Sequence, residues 1–154
     1  ATREDLEEAG GVSAPCVAQW DGAAWSGVGP GTDGAVYAIA AHEGALFLGG
    51  TFTHVGDAGA LYLARWDGSV LDAASGGGAN GAVRAMAEMG GSLYLAGSFT
   101  GIAGSDFAHL ARWDGSTYSP VGPGVDGVVR ALASDAEGRL CAGGDFDSAG
   151  ERVA

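Results

Sequence analysis

The sequence predicts an all-β protein built from a repeated unit, and three observations support this fold class. Glycine supplies 30 of the 154 residues, roughly three times its average share. The chain is 47% hydrophobic and only 17% charged, which is too apolar for a charged, disordered chain. Sequence markers also recur at a fixed period, which is typical of repeat proteins. Together these features favour many short strands joined by tight turns.

Three independent markers recur at a period of about 47 residues. The Trp-Asp-Gly triplet returns after steps of 46 and 47 residues, and a Gly-Ala-Val or Gly-Val-Val triplet returns after 47 and 46. The third marker is an apolar segment closed by two small residues. The triplets begin at Trp20, Trp66 and Trp113 and at Gly34, Gly81 and Gly127; the apolar segments begin at Leu46, Leu93 and Leu140.

Each repeat contains four short apolar segments. In the first whole repeat, three of them cover residues 34–41, 45–52 and 61–66, with a loop over 53–59. The fourth segment carries an aromatic residue in the other repeats, as at Trp25 and Tyr118. Four strands joined by hairpins at this period are typical of a β-propeller blade.

The Trp-Asp-Gly triplets are predicted to form hairpin turns. Asp67-Gly68 is expected to be a type I′ turn, because Asp and Gly tolerate the positive φ that this turn requires. The same turn role is expected for the aspartates of the other triplets, and for the polar residues that precede each repeat's first strand. The first set is Asp21, Asp67 and Asp114, and the second is Asp33, Asn80 and Asp126.

The order of diglycine, aromatic-Asp turn and following tryptophan resembles the kelch repeat. The WDG…GGxF spacing is most similar to repeats of bacterial secreted proteins and fungal cortical polarity markers. The resemblance covers residues 15–154, although Leu71 stands near the second Trp position and Ala96-Gly97 replaces the diglycine. It implies a β-propeller and an extracellular or cell-surface location. Such folds serve many functions, so it implies no particular activity.

The repeat pattern divides the chain into four parts after an acidic leader. The leader, residues 1–14, lies outside the pattern and is interpreted as a leader or a short helix. Residues 34–80 and 81–126 form whole blades. A split blade takes its outer strands from residues 15–33 and its inner strands from 127–154. No signal-peptide pattern is expected within these residues.

The split blade predicts assembly with further copies. Six positions following Ala154 would match Pro15–Trp20, and three blades are fewer than the roughly four that a propeller needs. We therefore expect self-association that completes the ring, with a six-bladed homodimer favoured over a nine-bladed homotrimer. The alternative is that the chain belongs to a longer parent with further blades.

Several recurring residues are predicted to be structural. The tryptophans are expected to pack between blades, with stacking on sugars as the alternative. The glycines are expected to allow neighbouring strands to approach closely. Isolated surface or turn positions are expected for the histidines, and Cys16 and Cys141 are expected to be reduced. These sets are Trp20, Trp66 and Trp113; Gly49, Gly50, Gly143 and Gly144; and His42, His54 and His109.

The candidate ligand site comprises Tyr37, Arg84 and Arg130, at equivalent positions on the first strand of each repeat. If the kelch order holds, this strand lines the central channel. Arg84 and Arg130 would then lie near the channel mouth, beside Asp126 or Asn80. One interpretation is an Arg–Asp pair that stiffens the junction between blades. The other is a shallow polar binding site with Tyr37 as its third member.

Charge and motifs exclude several function classes. The net charge of −12 is unsuited to nucleic acid or to anionic membrane surfaces, and no apolar run reaches the ~20 residues that span a bilayer. The sequence shows no metal-ligand spacing, cofactor motif or catalytic signature. We therefore expect no metal, no cofactor and no enzyme activity. The sequence favours a scaffold or binding module for an unknown protein or glycan; the alternative is a secreted carbohydrate-binding or enzymatic propeller that uses the channel mouth.

Overall fold

The computed structural model describes residues 8–9, 12–13, 16–74 and 78–149. These residues form strands and no helix, which confirms the all-β part of the predicted fold class. The strands in chain order are β1 (Glu8–Ala9), β2 (Val12–Ser13), β3 (Ala18–Trp20), β4 (Trp25–Gly27), β5 (Val36–His42), β6 (Ala45–Gly50), β7 (His54–Val55), β8 (Ala58–Gly59), β9 (Leu63–Trp66), β10 (Leu71–Ala73), β11 (Val83–Met89), β12 (Ser92–Gly97), β13 (Gly101–Ile102), β14 (Ser105–Asp106), β15 (Leu110–Trp113), β16 (Tyr118–Pro120), β17 (Val129–Ser134) and β18 (Leu140–Gly144).

Two of the repeats fold into four-stranded antiparallel sheets. Sheet 1 has the order β5-β6-β9-β10, and sheet 2 has the order β11-β12-β15-β16. In each sheet consecutive long strands are neighbours, as hairpin connections dictate. The predicted loop over 53–59 contains its own small hairpin, β7–β8, and sheet 2 has the equivalent hairpin β13–β14.

The two segments that the sequence predicts to form a split blade are separate hairpins in the structure. β17 pairs with β18, and β3 pairs with β4. Within the described ranges no strand pairing joins these hairpins to each other. Of the predicted leader, residues 8–9 and 12–13 form the antiparallel strands β1 and β2 rather than a short helix. The remaining leader positions lie outside the described residues.

The core lies between the sheets, which stack against one another. Phe47 and Leu63 of sheet 1 share one buried cluster with Val83, Leu93 and other residues of sheet 2. A second cluster joins sheet 2 to the β17–β18 hairpin. The first strands β5, β11 and β17 lie next to one another along this stack. The repeat therefore generates a row of similar units that bury apolar surface against their neighbours.

The Trp-Asp-Gly turns differ from the predicted two-residue turn. Trp66 pairs with Leu71, which leaves a four-residue loop between the strands. Gly68 has a φ of +100°, whereas Asp67 lacks the positive φ that a type I′ turn requires. The Asp67 Oδ1 instead accepts hydrogen bonds from the N–H groups of Ser69 and Val70, both at 2.8 Å. The type I′ prediction is wrong because the side chain, not the turn backbone alone, organises the loop.

The same arrangement recurs in all three triplets. The carboxylates of Asp21 and Asp114 also accept two backbone N–H groups at 2.8 Å, from the residues two and three positions later. Because these bonds favour the charged carboxylate, they hold the pKa of Asp21, Asp67 and Asp114 below the ordinary range. These aspartates are therefore loop-forming residues in this structure.

The three tryptophans occupy very different surroundings. Trp113 is buried, with 7% of its surface exposed, in the cluster between sheets 1 and 2. Trp66 is partly buried, and its ring lies against the backbone at Gly29. Trp20 is 54% exposed, which departs from the packing expected of all three. Trp113 belongs to a buried cluster and Trp66 packs against one, whereas neither cluster includes Trp20.

Candidate functional site

The three candidate ligand residues each lie at an irregularity in a strand. The pairing of β5 with β6 shifts between Val36 and Ala38, which places Tyr37 at a bulge. Arg84 and Arg130 occupy the equivalent bulges of β11 and β17. A bulge leaves one residue outside the ladder and re-aims its side chain. Since β5, β11 and β17 adjoin, the three bulges mark one row of redirected side chains.

A repeated backbone contact fixes the bulges. The N–H of Thr51 donates to the carbonyl oxygen of Ala35 at 2.9 Å, and the equivalent bonds at the other repeats measure 3.0 and 2.8 Å. A Cβ at Gly50 or Gly144 would overlap the carbonyl oxygen that lies beside it. The second residue of each diglycine is therefore restricted to glycine by close backbone approach.

Tyr37 and Arg84 are brought together. The Arg84 guanidinium carbon lies 5.1 Å from the centre of the Tyr37 ring, within the range of a cation–π interaction. Tyr37 is 49% exposed, so the pair faces solvent. The Arg84 Nε is buried and has no hydrogen-bond partner among the residues that the structure describes. A buried N–H without a partner is costly, and it could be satisfied by an acceptor on a ligand.

Arg130 pairs with Asp145. Its Nη2 and Nε lie 2.6 and 2.7 Å from one Asp145 carboxylate oxygen. The hydrogen bond from Arg130, and then the opposite charge of Asp145, raise the pKa of Arg130 above its ordinary value. Arg130 thus contacts Asp145, whereas the sequence led us to expect Asp126 or Asn80 beside it. The side-chain oxygen of each is engaged instead by backbone N–H groups of a loop about 20 residues further along.

Those polar residues hold a loop in each repeat, which goes beyond the turn role expected of them. Asp33 Oδ1 accepts the N–H groups of Thr53 and His54 at 2.8 and 2.9 Å. Asn80 and Asp126 make the corresponding bonds at 2.8–3.0 Å. For Asp33 desolvation opposes these bonds, but the hydrogen bonds prevail and the pKa is lowered. The sequence signal for this contact is the polar residue that precedes glycine in each repeat, at Asp33, Asn80 and Asp126.

His42 departs most from its predicted surface position. Only 2% of it is exposed, and its Nδ1 lies 2.8 Å from the Glu88 carboxylate. Its Nε2 lies 4.0 Å from the carboxylate of Glu43. The pair therefore joins the end of β5 to β11 of the neighbouring sheet. A cleft of about 400 Å³ beside it is also lined by Arg65 and Asp72.

The described residues also show the state of the candidate metal ligands and of the cysteines. They contain no group of three or more His, Cys, Asp or Glu side chains arranged to hold a metal ion. Cys16 and Cys141 do not form a disulfide with each other. In the described ranges we find no helix that is long and apolar enough to span a membrane. Comparison of the chain with protein-family models, curated proteins and solved structures found no match.

Proposed function

We propose that this protein is a non-catalytic scaffold or binding module with a kelch-like β-propeller architecture, and that its split repeat assembles with further copies of itself. The observation that carries this proposal is the row of adjoining first strands β5, β11 and β17. In a propeller the first strands of successive blades surround a central channel. The stacked antiparallel sheets and the 47-residue period support the same arrangement.

Unequal burial of equivalent residues supports the self-association. Trp113 is buried by the sheet beside it, whereas Trp20 is 54% exposed at the equivalent position. A large aromatic side chain contributes most when it is desolvated on all sides. A second copy that stacks where the row ends would bury Trp20 as sheet 1 buries Trp113. Two copies would give six blades and three would give nine.

A secreted carbohydrate-binding or enzymatic propeller is the second candidate. The exposed Tyr37 ring and the unsatisfied Arg84 Nε favour it, because an aromatic face beside a hydrogen-bond donor suits a sugar or a small anion. If the protein is instead a scaffold, we propose that an unknown protein binds the surface that contains Tyr37 and Arg84. The kelch resemblance would place either version outside the cell or at its surface.

Native mass spectrometry combined with glycan and small-molecule screens tests the proposal. If the protein is a self-associating scaffold, its native mass should correspond to two or three chains, and the glycan and small-molecule screens should give no signal. A glycan or small-molecule signal that is lost in Arg84→Ala, but kept in the matched variant Arg112→Ala, would favour the second candidate. A single folded chain in native spectra would contradict self-association.

A further inference from the structure

Sheets 1 and 2 share one register between their second and third strands. In sheet 1, Leu46 lies opposite Trp66 and Phe47 lies opposite Arg65. In sheet 2 the equivalent residues pair in the same way, with Leu93 opposite Trp113. In the third repeat, β18 corresponds to the second strand and β3 to the third. Among the described residues β18 pairs only with β17, and β3 pairs only with β4.

The residue before the third strand has a distinctive backbone conformation in every repeat. Tyr62 and His109 have φ values of +65° and +66°, which is uncommon for bulky residues. Their carbonyl oxygens accept hydrogen bonds from Gly50 and Gly97 of the second strand, at 3.2 and 3.1 Å. Cys16, at the equivalent position before β3, has a φ of +64°. The β3–β4 hairpin therefore already has the backbone shape that second-strand pairing uses.

The glycines on the second strands show which surface meets the next unit. A Cβ at Gly49 would overlap Val83 and would lie 2.9 Å from the Met86 methyl carbon, because both side chains of sheet 2 pack there. A Cβ at the equivalent Gly143 would meet no atom of the described residues within 4 Å. The space beside Gly49 is filled, and the space beside Gly143 is open.

The side chains that would fill the open space are present at the other end of the row. Val36 and Ile39 on β5 are equivalent to Val83 and Met86 on β11. Ile39 is 53% exposed, whereas Met86 packs against the buried cluster between sheets 1 and 2. Val36 and Ile39 therefore lie at one end of the row, and the space beside Gly143 lies at the other end. These are the equivalents of the residues that pack together where sheet 2 meets Gly49 of sheet 1.

We infer that β18 of one copy pairs with β3 of a second copy in the register of sheets 1 and 2. This inference rests on the proposed self-association. Leu140 then lies opposite Trp20, Cys141 opposite Gln19 and Ala142 opposite Ala18. The same second copy places its Val36 and Ile39 beside Gly143. One copy satisfies both contacts, because its β3–β4 hairpin and its sheet 1 are consecutive in the chain.

The inferred contact is heterologous, since it joins two different surfaces, and it can repeat until the ring closes. It also covers two exposed strand edges, which are otherwise sites of uncontrolled pairing. A second copy fits better than an unrelated partner. The strand register, the left-handed residue at Cys16 and the gap at Gly143 all match parts of this same chain.

A site-specific disulfide tests the register. Residues directly opposite each other in an antiparallel pair have Cα atoms ~4.5–5.5 Å apart, within the bridging range of a disulfide. Under mild oxidation Gln19→Cys should therefore link to Cys141 of a second copy. Ala18→Cys is the matched control, because its side chain faces the other side of the sheet. We expect a linked fraction roughly tenfold smaller for this control. Adding Cys141→Ser should abolish the link and so exclude Cys16 as its partner.

Gly143→Val tests the packing face independently. It should reduce the solution mass to that of one chain while the chain stays folded, because no described residue of the chain opposes the new side chain. Efficient linkage of Ala18→Cys, or equal linkage of both cysteine variants, would overturn the register while leaving self-association intact. Assembly of Gly143→Val as in the unmodified protein would overturn the packing face. If the unmodified protein is a single chain, the proposed function fails together with this inference.

Discussion

The junction between sheets 1 and 2 and the two ends of the row are built from equivalent residues in opposite surroundings. At the junction, Val83 and Met86 fill the space at Gly49. At the ends, Ile39 is exposed and Gly143 faces open space. Hydrophobic stabilisation depends on the area removed from water and not on residue type. These side chains therefore stabilise the fold only where two sheets pack together. At the ends of the row, the equivalent residues Ile39 and Gly143 have no neighbouring sheet among the described residues.

The largest expected effect comes from the tryptophans. Trp113→Ala should lower the free energy of unfolding by about 3–5 kcal/mol, because it removes a large buried aromatic side chain. Trp20→Ala should change the unfolding of dissociated chains by only about 0.5 kcal/mol, as expected at an exposed position. Denaturant unfolding at low protein concentration measures both. Equal losses would contradict the contrast between the junction and the ends.

The glycines of the second strands sharpen the comparison. Gly49→Val should cost about 1–3 kcal/mol, because the added side chain must displace Val83 and Met86. Gly143→Val should leave the unfolding free energy of the single chain close to its original value. Thermal and denaturant unfolding of both variants provide the comparison. A strongly destabilised Gly143→Val chain would mean that the space at Gly143 is occupied within the chain.

The junction also has a polar contact of its own. Glu88→Ala should cost about 1–3 kcal/mol, because it leaves the buried His42 Nδ1 without its partner. Glu43→Ala is the matched control, since its exposed carboxylate lies 4.0 Å from the other ring nitrogen, and should cost about 0.5 kcal/mol or less. Denaturant unfolding at neutral pH measures both variants. Identical effects would show that the His42–Glu88 contact does not stabilise the junction.

The smallest effect is expected in the Trp-Asp-Gly loops, which are alike in all three repeats and need no neighbouring sheet. Backbone hydrogen bonds lower the pKa of Asp67 in the folded chain. Its contribution to stability is therefore present above the unfolded value of about 3.9, and is lost as the pH falls through the lower folded value. Asp67→Asn keeps the accepting oxygen but cannot titrate. Its unfolding free energy should fall less on acidification, and an unchanged acid dependence would contradict this loop role.

Features that repeat could be predicted from the sequence. The period, the four strands of each unit and the restricted glycines follow from local pattern and backbone sterics. Features that occur once could not. His42 is buried because Glu88 of the next sheet faces it, and the equivalent residue to His42 is Met89. Arg130 pairs with Asp145, where the other repeats have Thr51 and Ser98. Such contacts depend on which units become neighbours, which a periodic pattern does not specify.

The turn type was missed for a different physical reason. Asp-Gly satisfies the backbone requirement of a two-residue turn, but the same aspartate can also accept backbone N–H groups and organise a longer loop. Both options share one sequence signature. The strand register decides between them, with Trp66 paired to Leu71 across four intervening residues.

Light scattering of the unmodified protein beside Gly143→Val tests the central claim most directly. In the proposed assembly, a second copy fills the open space beside Gly143 at the end of the row. At micromolar concentration the unmodified protein should have two or three times the 15.1 kDa chain mass, and Gly143→Val should have the mass of one folded chain. A folded, unmodified protein of 15.1 kDa would contradict the claim.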